Sequence, residues 1–243
     1  MKYPAIVTKR YLFALSLPIF FSNIAIPLVG IVDTGLMGHL GSEKFLAATS
    51  ISTSVITMIL WSFGFLRMGT VGLVSQALGK ADYRDIILTV IRNLYIAGII
   101  GFILFFLRMP LLSLIQEYFN SSQETQILIE KYVSIRLFSA PAELCMYVLV
   151  GLFLGLQRTS SASSMTMLFC FLNIALSSYF VIYLDLGING VALGTVISAY
   201  ITLILFLIYV YFSLKKQFNI IPRFTNIFNR KKIFKLLNIN FNI

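Results

Sequence analysis

Apolar positions in this chain gather into six long runs, at about residues 11–38, 45–78, 86–107, 132–156, 159–184 and 187–214. A helix needs roughly 20 mostly apolar residues to cross a hydrocarbon core of about 30 Å, because each residue rises only about 1.5 Å. Each run is long enough. None alternates polar and apolar residues in the short segments that a membrane β-barrel requires. The pattern predicts an all-α integral membrane protein with six transmembrane helices, and no internal repeat is visible within them. The stretch 68–85, MGTVGLVSQALGKADYRD, extends the second span, and Gly69, Gly72 and Gly79, with Gly64 just before, let another helix approach closely. The polar stretch 117–131, EYFNSSQETQILIEK, predicts a short surface helix. Residues 215–243 turn basic and Asn-rich, with interspersed Ile and Phe, as in a cytoplasmic tail, an amphipathic surface helix or a linker.

Composition agrees with the pattern. Apolar residues make up 58% of the 243 residues and charged residues 12%, about half the charge a soluble domain uses to keep its surface wet. Mean hydropathy is +0.90. The net charge of +10 does not point to nucleic acid, because the cations sit at the ends of apolar runs, where membrane topology explains them. Lys2, Lys9 and Arg10 precede the first run. Lys80, Arg84 and Arg92 follow the second, Arg158 follows the fourth, and Lys215 and Lys216 open a basic tail after the sixth. The other side has Lys44, Arg108 and Lys131, with Arg136 near the start of span four. This bias predicts a multi-pass protein of a bacterial inner (plasma) membrane with both termini in the cytoplasm. The apolar run after Arg10 is too long for a cleavable signal. Cys145 and Cys170 lie inside apolar runs and read as two unpaired thiols rather than a disulfide. One histidine, His39, cannot build a metal site and reads as polar surface.

A few polar side chains interrupt the spans. Asp33 stands in GIVDTGLMGHLG at the far end of the first. An ionisable group at membrane depth is expensive and marks a functional site by default. Shielding from water disfavours the charged form of a carboxyl, so Asp33 can exchange a proton or hold a cation. The competing reading is a helix-end acid facing water. Pro18 and Pro27 on the same helix each remove a backbone hydrogen bond and permit a kink. Asn173 and Ser177, four apart, share a face of the fifth span, with Ser178 beside them, at a depth of roughly 21–27 Å by helical rise. Thr195 lies on the sixth. Each of these polar groups can instead serve only as an interhelical hydrogen bond. Arg136 and Glu143 lie seven apart on span four, on one face, and read as a possible intramembrane pair, with Pro141 between them as a kink. No catalytic triad, paired metal ligands or phosphate loop supports an enzyme, and no cofactor is expected.

Four stretches make the chain similar to a known family: LPIFFSNIAIPLVGIVDTGLMGHLG at 17–41, FGFLRMGTVGLVSQALG at 63–79, RLFSAPAELCMYVLVGLFLGLQRT at 136–159 and LNIALSSYFVIYLDLGINGVALGTVISAY at 172–200. Their content, order and spacing resemble the multidrug and toxic compound extrusion (MATE) family, and within it the branch named for DNA-damage-inducible protein F. The resemblance implies one six-helix lobe, the N-terminal one, of a twelve-helix transporter. Its partners are the lipid bilayer, a small-molecule substrate and a second six-helix lobe or a second copy. Export of drugs or organic cations in exchange for H⁺ or Na⁺ is the implied activity, in a truncated or split protein. The implied cation site uses an acid on helix one, here Asp33, an Asn on helix five, here Asn173, and a Thr on helix six, here Thr195. An acid commonly follows that Asn by four residues, whereas this chain has Ser177. Glu143 falls where a small apolar residue is expected. The alternatives are a lipid-linked oligosaccharide flippase of the same superfamily, for which Arg67 and Arg136 are the basic residues away from the span ends, and a non-transporting remnant that keeps only the fold.

Overall fold

The computed structural model describes residues 9–119 and 121–218, so the tail from residue 219 on lies outside the described residues. Every described element is helical. The order is α1 (Lys9–His39), α2 (Glu43–Ser62), α3 (Phe65–Gly79), α4 (Tyr83–Phe106), α5 (Arg108–Tyr118), α6 (Gln123–Arg136), a 3₁₀ turn (Leu137–Ser139), α7 (Ala140–Gly155), α8 (Thr159–Ser178), a π turn (Tyr179–Tyr183) and α9 (Gly187–Phe218). Six spanning elements result, covering Ser16–His39, Glu43–Gly79, Tyr83–Phe106, Gln123–Gly155, Thr159–Tyr183 and Gly187–Ser213. The second is α2 followed by α3, interrupted at Phe63 and Gly64. The fourth is α6 followed by α7, interrupted by the 3₁₀ turn just before Pro141.

The polar stretch 117–131 is not one surface helix. Its start closes α5, the short helix beside the fourth span, and its end opens α6. The reason lies in α6 itself. Three of its four charged residues, Glu124, Glu130 and Lys131, are exposed, while Ile129, Tyr132 and Val133 are buried on the other side. That apolar face packs on α2, so the fourth spanning element starts at Gln123. Ser122 caps it, its hydroxyl accepting from the backbone N–H of Thr125.

Two connections share one construction. After α3, Ala81 takes φ 55° and Asp82 N–H donates to Ala77 O at 2.9 Å. After α7, Gln157 takes φ 57° and Arg158 N–H donates to Phe153 O at 2.7 Å. In each case a left-handed residue turns the chain out of the helix while the last carbonyls keep their donors.

Packing centres on α7, where Leu144, Val148, Leu149, Leu152 and Phe153 are all buried. Apolar burial does not drive helices together in lipid, so close approach must do so. A Cβ on Gly151 would meet Arg67 O and the Thr70 side chain, and one on Gly155 would meet Val74. The two glycines let α3 lie directly against α7. On α4, Asn93 Nδ2 donates to Thr70 Oγ1 at 2.9 Å and links α3 to α4 inside the bundle. By contrast α1 sits at the edge, with Phe13, Phe20, Phe21 and Ile31 all exposed. Cys145 and Cys170 are both free.

Candidate functional site

Asp33 lies in the last third of α1. One of its carboxylate oxygens, Oδ1, is buried and without a hydrogen-bond partner. The residue lines a cavity of about 190 Å³ between α1 and α2, together with Gly30, Thr34, Leu46, Thr49, Ser50, Thr53 and Ser54. Thr49 Oγ1 is likewise buried without a partner. Thr34 returns its hydroxyl to Gly30 O at 2.7 Å, and Thr53 Oγ1 meets Tyr132 Oη at 3.2 Å. The wall is therefore one carboxyl and a row of hydroxyls, most on the run SISTS at 50–54 with Thr49 before it. That cluster in an otherwise apolar span is the signal the sequence carries for α2, and a choice of Asp33, Asn173, Ser177 and Thr195 as the site passes over it.

Asn173 and Thr195 meet between α8 and α9. Asn173 Nδ2 donates to Thr195 Oγ1 at 2.8 Å, and Thr195 returns its own proton to Val191 O at 3.1 Å. Ser177, one turn along α8, is fully buried, packs on Gly194 and leaves its hydroxyl without a partner. Asn173 Oδ1 is unpartnered too. These three residues form one polar cluster. Asp33 opens instead on the α2 side. The two regions nevertheless stand at similar depth, because α1 and α8 run parallel. Ser22 Oγ donates to Ser163 Oγ at 3.4 Å, and further along Leu36 and Val181 line a common cavity. That second cavity, of about 600 Å³, lies where α1 ends and includes His39 and Asp185.

Arg136 and Glu143 form an ion pair within the fourth span, each side chain largely buried. Arg136 donates to Ser139 Oγ as well, and Ser139 Oγ lies 2.7 Å from Glu143 Oε1. The guanidinium also acts electrostatically on Asp33 and on Tyr132. Among the described residues no group of three or more His, Cys, Asp or Glu is placed to hold a metal ion.

Six spans with a carboxyl, an amide–hydroxyl pair and an ion pair inside them define a polytopic membrane lobe with a polar interior. The family described as MatE matches residues 18–180. The chain belongs to that family. It is 34% identical over 203 residues to DNA damage-inducible protein F of Escherichia coli, a match covering 84% of this chain and 44% of that protein. It is 24% identical over 198 residues to the multidrug export protein MepA of Staphylococcus aureus, covering 80% of the chain and 43% of the relative. Among solved structures it superposes on a MATE protein in complex with MaD3S, with a TM-score of 0.82 at 22% identity over 93% of this chain and 51% of that one. A MOP superfamily transporter from Pyrococcus furiosus gives the same TM-score and identity over 93% and 50%. The chain thus spans about half the length of the proteins it matches, and its six helices correspond to one lobe of their fold, the N-terminal one.

Proposed function

We propose that the chain works as one lobe of a MATE-type secondary transporter, exporting drugs or organic cations in exchange for H⁺ or Na⁺. Asp33 is its cation- or proton-binding carboxyl, and Asn173, Ser177 and Thr195 on α8 and α9 are a second polar cluster at similar depth that serves the same cation path. The observation that carries this reading is the outer face beside Asp33. Ser50, Thr53 and Ser54 on α2, and Thr34 on α1, are exposed at membrane depth next to a carboxylate oxygen that has no partner. Such a face is costly against lipid and suits a water-filled path between this lobe and a second one. The second lobe belongs to the same polypeptide, another chain or a second copy. With one carboxyl in the cavity, H⁺ is the favoured coupling ion, since tight Na⁺ binding needs several oxygen ligands with compensating charge. Arg136 is engaged by Glu143 and Ser139, which leaves it little to offer a lipid diphosphate.

Co-expression tests this. In a drug-sensitive bacterial strain the chain alone gives no resistance. Together with a second MATE lobe it gives dye efflux that collapses when an uncoupler removes the proton gradient. Absence of efflux with any such lobe, although both proteins are in the membrane, overturns the reading.

A further inference from the structure

Arg136 closes α6 and Glu143 lies in the first turn of α7, so the pair bridges the 3₁₀ turn of the fourth span. The guanidinium donates to Glu143 Oε1 and to Ser139 Oγ, and the two charged side chains are only 12% and 14% exposed. The same guanidinium lies within electrostatic reach of Asp33 on α1. One turn before it, the fully buried Tyr132 reaches Thr53, which lines the Asp33 cavity. Among the described residues, the titratable and charged groups acting on Asp33 include Arg136 and Tyr132 of α6. Those acting on Glu143 are Arg136, Tyr132 and Tyr147, and Tyr147 is in turn near Arg67.

Two carboxyls thus depend on one guanidinium. With all three groups ionised the cluster carries a net charge of −1, and one proton or monovalent cation at Asp33 makes it neutral. A water-poor interior penalises uncompensated charge, so the position of Arg136 and the occupancy of Asp33 are linked. We propose that Arg136 is a counter-ion shared by Asp33 and Glu143. It rests on Glu143 while Asp33 holds its cargo and turns toward Asp33 when that cargo leaves. Ser139 makes the exchange tolerable, because its hydroxyl still donates to Glu143 when the guanidinium departs. Glu143 is a positioning residue that governs how far Arg136 is available to Asp33. This rests on the reading of Asp33 as the cation-exchanging carboxyl.

Carbodiimide labelling tests it without transport. Dicyclohexylcarbodiimide reacts with protonated carboxyls in apolar surroundings, and peptide mass spectrometry locates the adduct in membranes holding the full chain. The wild-type chain is labelled at Asp33 and protected at Glu143. In Glu143→Gln the freed guanidinium serves Asp33, and labelling there falls roughly tenfold. The double variant Arg136→Gln, Glu143→Gln leaves neither charge buried alone, and labelling at Asp33 returns to the wild-type level. Monodisperse elution in detergent checks folding of each variant. Where Glu143→Gln fails that check, Ser139→Ala removes the hydroxyl that supports Glu143 in the guanidinium's absence, so Arg136 stays on Glu143 and labelling at Asp33 rises instead of falling. Labelling at Asp33 that ignores these changes, or that falls equally in the double variant, overturns the shared counter-ion. Drug efflux reports separately on the transport reading, so the two can fail independently.

Discussion

Thr53 and Tyr132 meet hydroxyl to hydroxyl at 3.2 Å, and this contact ties the most charged helix of the lobe to the wall of the Asp33 cavity. Tyr132 is 1% exposed and sits one helical turn from Arg136. Thr53 lines the cavity from the opposite side. The carboxyl on α1 and the ion pair on the fourth span are therefore parts of one polar region.

Asp33→Asn is expected to abolish coupled export in a complete transporter while leaving membrane insertion intact. Asn keeps the size and the hydrogen-bonding capacity but cannot gain and lose a charge. Dye efflux driven by an imposed proton gradient, compared at equal protein level, is the measurement. Normal gradient-driven efflux would reduce Asp33 to a structural, water-facing residue.

Breaking the ion pair from one side should cost more than removing it. Arg136→Met alone strands Glu143 in the bundle and is expected to lower stability by about 3–5 kcal/mol, whereas Arg136→Met with Glu143→Leu recovers most of that. Reversible unfolding in mixed detergent micelles measures both. A double variant as unstable as the single one contradicts the burial argument.

Gly151→Val is expected to separate α3 from α7, because the new side chain meets Arg67 O and Thr70. The loss should be about 1–3 kcal/mol, the usual range for overpacking. Gly72→Val, at a glycine whose Cβ direction is empty, is the control. Equal melting shifts in the two variants would count against the close α3–α7 approach.

Orientation can be read by labelling single cysteines on a background with Cys145 and Cys170 replaced by alanine. Gln123→Cys, at the exposed start of α6, should react with an impermeant maleimide in intact cells. Lys80→Cys, at the exposed turn after α3, should react only after lysis. The reverse pattern would place both termini outside.

Much of the architecture was legible along the chain. Six apolar runs of spanning length, with cations at their ends, admit few arrangements, because backbone polar groups in lipid must be satisfied within helices. A Cβ at Gly72 or Gly79 would meet nothing, whereas the tight α3–α7 approach depends on Gly151 and Gly155 of the facing helix, which the sequence of α3 by itself does not reveal. The stretch 117–131 misled for a related reason. Its polarity is that of a helix end reaching water, and the burial of Ile129, Tyr132 and Val133 becomes visible once α2 is packed against them.

The site divides in the same way. Sequence alone determined which groups are chemically unusual: Asp33, Asn173, Thr195, Arg136 and Glu143 stand out because each is polar where the solvent is hydrocarbon, and that cost is a property of the residue and its depth. Tertiary structure decided which of them meet. It joined Asn173 to Thr195 and set the Ser139 hydroxyl beside the direct Arg136–Glu143 pair. It turned Asp33 toward the hydroxyls of α2 and placed Thr53 against Tyr132. Depth follows from counting residues along one helix, whereas pairing depends on how each helix is rotated and how closely it packs, and those are settled by side chains on its neighbours.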